Sequence, residues 1–154
     1  MKIRSFSETD AEAVVALWTE AGLTRPWNDA GADVRRKQAM QPEMFFVAED
    51  DGRVAGVVMA GYDGHRGWIH YLAVSDDYRG TGLGRTLVEH AETALDALGC
   101  PKVQLQVRPD NTSVIEFYRH LGYTTYEAIN MGKRLVVDGP AATQSTEPPA
   151  VATA

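Results

Sequence analysis

The 154-residue sequence holds a single cysteine, Cys100, so no disulfide can form within the chain. A lone thiol suits a reducing compartment, and a cytoplasmic protein is expected. No apolar run approaches the roughly 18 residues of a membrane-spanning helix, so no membrane partner is expected. The opening residues, MKIRSFSETDAEA, lack the apolar stretch and the small-residue cleavage site of a secretory signal. Basic residues are also in deficit, 15 Lys and Arg against 21 Asp and Glu, for a formal charge of −6. General nucleic-acid binding needs Lys and Arg to displace counterions, and it is not expected here. Metal-ligand patterns are missing too. The four histidines, at 65, 70, 90 and 120, show no chelating spacing, and Cys100 follows a helix stop. From Asp138 onward, DGPAATQSTEPPAVATA has almost no large apolar side chain. It cannot bury enough surface to offset its ordering entropy. One domain over residues 1–137 with a disordered tail at 138–154 is therefore expected.

What the chain does have is ordered apolar patterning. KIRSF alternates as a short strand, and Ser7 with Asp10 has capping-box spacing ahead of a helix that Gly22 ends. A second helix is expected from about Ala32 to Met40, after the loop TRPWNDAG. MFFVAED, RVAGVVMAGY and WIHYLAV read as three antiparallel strands joined at DDG and YDGHRG. Leu83, Leu87, Val88, Ala91, Leu95 and Leu98 recur at helical spacing. KVQLQV then makes a strand–helix–strand crossover, so it should lie parallel to WIHYLAV. A short helix follows, with Asn111 or Thr112 near its N-cap. YTTYEAI and MGKRLVV are expected to close the domain as a last hairpin. The fold class is α+β, with a mixed sheet that is antiparallel in its first half and has a parallel pair at its middle.

The stretch DYRGTGLGRTLVEHAE carries the first chemical signal. Glycines at 80, 82 and 84 stand between a strand and a helix. A dinucleotide fingerprint would need glycine where Arg85 stands, and a mostly parallel sheet. A P-loop would need Gly-Lys-Ser/Thr, but Gly132–Lys133 is followed by Arg134. What remains is a glycine-lined helix entry with Arg79 and Arg85 at its ends. Its backbone N–H groups, the helix dipole and two guanidinium groups suit a pyrophosphate. A ligand-free helix entry is the alternative from the glycines alone.

Two motifs together resemble the GCN5-related N-acetyltransferases (GNAT). Arg79, Gly82 and Gly84 fit that family's [Q/R]-x-x-G-x-[G/A] signature after a strand. Asn111 followed by Tyr118 fits its second signature, and the order of elements matches to about Val137. RPWND and GYDGHRG further resemble a subgroup of small bacterial acetyltransferases, the YpeA type. The resemblance implies a GNAT-like fold whose central parallel strands splay apart, flanked by about four helices. It implies acetyl-coenzyme A as donor and an amine as acceptor. Leu72, Ala73 and Val74 would bond the pantetheine, and Arg79, Gly80, Thr81, Gly82, Leu83, Gly84 and Arg85 would hold the pyrophosphate. Asn111 would bind the pantetheine arm, and Tyr118 would protonate the leaving thiolate. Homodimers are frequent in the family, which makes a dimer one option. A non-catalytic acyl-coenzyme A sensor on the same fold is the alternative function.

Some relatives place a glutamate base just before a Val-Arg pair in the second parallel strand. Here that position is Gln106, and an amide cannot take a proton at neutral pH. His70, four residues before Val74, is a candidate base, with a structural histidine as the equal alternative. A weak base suits a low-pKa acceptor: removing a proton at pH 7 costs roughly 3 kcal/mol more from a lysine side chain than from an α-amine. Trp27, Asn28 and Asp29 in the loop between the first helices, with Asn130 near the end, are candidates for the acceptor side. Ordinary turn chemistry explains the three loop residues equally well. Asp63, His65 and Arg66 read better as a solvated hairpin loop.

Overall fold

In the computed structural model, residues 1–138 are described. Of the expected tail at 138–154, Asp138 is described, bound to Arg36, and residues 139–154 lie outside the described ones. The sheet runs in the order β1 (Lys2–Ser5), β2 (Phe45–Asp50), β3 (Arg53–Tyr62), β4 (Gly67–Val74) and β5 (Val103–Gln104). The first three pairings are antiparallel and β4–β5 is parallel. Four α-helices flank it: α1 (Ala11–Glu20), α2 (Ala30–Ala39), α3 (Leu83–Ala97) and α4 (Thr112–His120). The mixed α+β sheet is thus as expected.

Each element has a local cause. Asp51 and Gly52, both with positive φ, close the β2–β3 hairpin as a two-residue turn. The Asp10 carboxylate accepts from the Ser7 N–H at 2.8 Å, starting α1. Asp29 caps α2 by accepting from the Ala32 N–H at 3.0 Å. Alternation in the strands feeds two core layers. Phe46, Val58, Ile69, Leu87 and Leu95 pack between the sheet and α3. Phe45, Val47, Val57, Val14 and Trp18 pack between the opposite face and α1.

β4 contains a bulge. Val57 faces Ala73 and Met59 faces His70, so Tyr71 and Leu72 together oppose Val58. Tyr71 takes φ +53, an uncommon conformation for an aromatic residue. Its ring stacks on Trp18 at 4.2 Å between centroids. Its hydroxyl donates to Asp33 Oδ2 at 2.7 Å and accepts from Asn28 Nδ2 at 3.0 Å. Three fixed contacts hold a backbone state that costs on the order of 1–3 kcal/mol.

Two expectations are corrected. KVQLQV pairs only through Val103 and Gln104, because β4 and β5 diverge beyond Trp68. The last hairpin is absent: residues 123–134 contain neither helix nor strand. With β5 ending at Gln104, the edge that would extend the sheet is too short to template it. The segment is tethered instead by side chains: Tyr126 to Gln104, Asn130 to Gln106, and Asp138 to Arg36.

Candidate active site

The site begins where β4 leaves β5. The two strands pair at Gly67–Val103 and Trp68–Gln104 and nowhere beyond. The stretch Leu72–Ala73–Val74 keeps its β3 ladder on one side, with Val57 opposite Ala73 and Gly56 opposite Val74. Its other edge carries backbone groups without a strand partner. Leu72 and Val74 pack toward the α3 layer, whereas Ala73 is buried toward α1.

The glycine stretch lies at the end of this open edge. A short turn over Asp76–Tyr78 leads to Gly80 and Gly82, with φ +75 and +90. A Cβ on either would meet nothing within 4 Å, so these glycines serve the backbone path and leave open space beside it. Gly84 differs, because its Cβ would touch Phe117 at 3.4 Å. It seats α3 against α4. Leu83 points into the core at 6% exposure and offers the site only its N–H. No side chain caps α3. Its leading N–H groups therefore have no side-chain acceptor, at the positive end of the dipole. Arg79 pairs with Asp76 at 2.9 Å and Arg85 approaches Glu89 at 3.9 Å, both exposed and free to re-aim. Uncapped donors, empty space and two mobile guanidinium groups fit a pyrophosphate.

Tyr118 stands on α4 with 7% exposure, edge-on to Phe117 and Tyr123. Burial pushes its phenol pKa well above the ordinary tyrosine value, so it stays protonated at neutral pH. Its hydroxyl has no hydrogen-bond partner among the described residues, which leaves the proton available. Asn111 caps α4, its Oδ1 accepting from the Val114 N–H at 3.4 Å. That uses the oxygen and leaves the amide donors.

The opposite face holds a second cleft of about 350 Å³, between α2, the end of β3 and the start of β4. His70 faces it, its ring parallel to Trp68 at 6.1 Å. Surrounding protein lowers the His70 pKa, and the charge of Lys37 lowers it further. Neutral imidazole is therefore the resting form at pH 7. Asp63 ties the neighbouring turn through the N–H groups of His65 and Arg66, and these hold its pKa down at about 2.

Trp27 is 42% exposed in the α1–α2 loop. Asn28 faces inward to Asp33 and Tyr71, and Asp29 is engaged as the α2 cap. Gln106 donates to Asn130 at 2.9 Å. Sequence reasoning missed Tyr71, Asp33 and Lys37. Tyr71 is hidden because a strand pattern does not announce a bulge. A tyrosine replacing an aliphatic residue in WIHYLAV was the available signal. Among the described residues no group of three His, Cys, Asp or Glu could hold a metal ion, and no helix is long and apolar enough to cross a membrane.

Comparison with known proteins agrees with this geometry. An acetyltransferase from Yersinia pestis (strain Pestoides F) is 49% identical over 138 residues, covering 90% of this chain and 98% of that protein. The crystal structure of Ard1 from Thermoplasma volcanium superposes with a TM-score of 0.73 at 28% identity, covering 82% of this chain and 84% of that one. Naa20 from Chaetomium thermophilum, solved with a bisubstrate analogue, gives 0.71 at 27% identity, covering 82% and 72%. The model of the acetyltransferase (GNAT) family matches residues 12–123, which spans the splayed strands, the glycine entry and Tyr118. The protein is an acyltransferase, and the chain belongs to the GNAT family.

Proposed function

We propose that this acetyltransferase moves an acetyl group from acetyl-coenzyme A to a primary amine, by direct attack in a ternary complex. The observation that carries the reading is the gap beyond Trp68 and Gln104, on the sheet face that also carries the uncapped α3 N-terminus and Tyr118. The Arg79–Arg85 loop would hold the pyrophosphate, and Leu72–Val74 with Asn111 the pantetheine. Bound there, acetyl-coenzyme A supplies an activated acetyl thioester. The acceptor amine approaches from the α1–α2 face, with Trp27, Asn28 and Asp29 as the residues we assign to its binding. His70, neutral at pH 7, takes the amine proton directly or through water. The Val74 N–H donates to the carbonyl oxygen as charge builds on it. Tyr118 passes its phenolic proton to the departing sulfur. A reducing cytoplasm, consistent with the lone Cys100, is the compartment we infer.

The test is release of coenzyme A thiol from acetyl-coenzyme A with a panel of amino acids, arylalkylamines, aminosugars and peptides. Acceptor-dependent release is expected. Tight coenzyme A binding without acetylation of any acceptor would instead favour a sensor on the same fold.

A further inference from the structure

In the cleft beside His70, the Lys37 ammonium has no ion-pair contact among the described residues, and the cleft's one carboxylate, Asp63, is held in its own turn. Three basic residues follow one another on α2. Arg35 approaches Asp29 at 3.7 Å, and Arg36 binds Asp33 and Asp138. The ammonium of Lys37, next in sequence, makes no ion pair or hydrogen bond among the described residues, and the residue is half-buried in the cleft wall. A lysine that loses water without gaining an anion is unfavourable in the free protein. Burial lowers its pKa, and Glu43 opposes that only at a distance.

Apart from His70, the other polar side chains of the cleft are already engaged. Asp63 accepts from two turn N–H groups and from the Trp68 indole at 3.1 Å. Gln41 spends both ends of its amide on the Tyr62 backbone, at 2.8 and 3.0 Å. Trp68, Tyr62, Met59 and Met40 supply the apolar surface. The volume lies at the small end of ordinary ligand sites, which run from roughly 300 to 1,000 Å³.

This arrangement selects among amines. The Lys37 charge repels an acceptor whose only charge is its own ammonium. It attracts one that brings an anion, and it then favours loss of the ammonium proton beside His70. We propose that Lys37 binds a carboxylate of the acceptor, so that the amine substrate is a free amino acid with an apolar side chain against Trp68. This rests on the acetyl-transfer reading above.

The test uses acetylated product analogues, so that binding is read without turnover. Calorimetry compares N-acetyl-L-phenylalanine, its uncharged amide and N-acetyl-O-phosphoethanolamine, on the full chain with coenzyme A present. The carboxylate is expected to bind at least tenfold more tightly than the amide. Lys37→Gln should reduce that ratio to within about twofold, Lys37→Arg should preserve it, and coenzyme A affinity should be the same in all three proteins. An equal affinity for acid and amide in the unmodified protein overturns the proposal. So does a ratio that survives Lys37→Gln, or a phosphate analogue preferred tenfold over the carboxylate. Failure of acetyl transfer would show separately, as absent thiol release with every acceptor.

Discussion

Tyr118 is buried and His70 stands exposed at the rim of its cleft, yet the surrounding protein shifts both in directions that suit opposite tasks. Desolvation disfavours the phenolate of Tyr118 and the imidazolium of His70. One side chain therefore rests with its proton and the other without one, as the proposed acid and base roles require. Tyr118→Phe should lower kcat by about 10- to 100-fold while coenzyme A affinity, read by calorimetry, stays within about twofold. Unchanged turnover removes Tyr118 from the mechanism. For His70 the sign follows from its lowered pKa. Its imidazole stays neutral to lower pH than an ordinary histidine, so, if it acts as the proposed base, the acid limb of kcat/KM should fall below about pH 6.5. His70→Gln should abolish that limb, and a limb that persists unchanged assigns it to another group. Tyr118 was legible in the sequence because Asn111 and the glycine stretch accompany it. Lys37 was not: nothing in VRRKQ distinguishes the lysine that lacks a partner from the arginines that have one.

Among the elements, β4 decides the most. Its antiparallel partner β3 must lie close to α3, and Gly56 makes that approach feasible. A Cβ there would stand 2.8 Å from Leu87 Cδ1 and 3.2 Å from the Ala73 carbonyl oxygen. Leu87 can rotate, but the backbone oxygen cannot easily move. Gly56→Ala should cost about 1–3 kcal/mol, read as a lowered denaturation midpoint at constant m-value. A stability within 0.5 kcal/mol of the parent, by the same measurement, would contradict the close-approach account. The helices and the first four strands were legible because their apolar periods are long. The two misreadings fall later in the chain and share one cause. KVQLQV and the segment after Gly122 have strand-like composition, but pairing is decided by what lies alongside. Val103 and Gln104 find β4, while Leu105 and Val107 lie past the last ladder pair and pack against the α3-side core instead. Ile129 and Met131 stay more than 90% exposed because no long edge is offered to them.

At the scale of the molecule, stability in acid depends on a tie between the first strand and the first helix. Arg4 clamps the buried carboxylate of Asp10 through two hydrogen bonds, at 2.6 and 2.9 Å, and reaches Glu49 at 2.7 Å. The guanidinium holds the Asp10 pKa below the ordinary carboxylate value. A lowered folded-state pKa gives stabilisation that is complete above the unfolded value, near 3.9, and lost as pH falls through the folded one. Urea denaturation should therefore show stability declining below about pH 4. Arg4→Ala should lose about 1–3 kcal/mol at pH 7 and show a flatter dependence below pH 4. A variant with the parent's acid profile would place the titrating group elsewhere.

The Tyr71 bulge has a kinetic consequence. Because an extra residue, pinned by Trp18, Asp33 and Asn28, diverts β4 in the free chain, the sheet has no hydrogen-bonded ladder to break before a donor enters. Capture should need no opening step. Its observed rate should rise linearly with donor concentration, in a single phase, without the plateau that a slow conformational gate imposes.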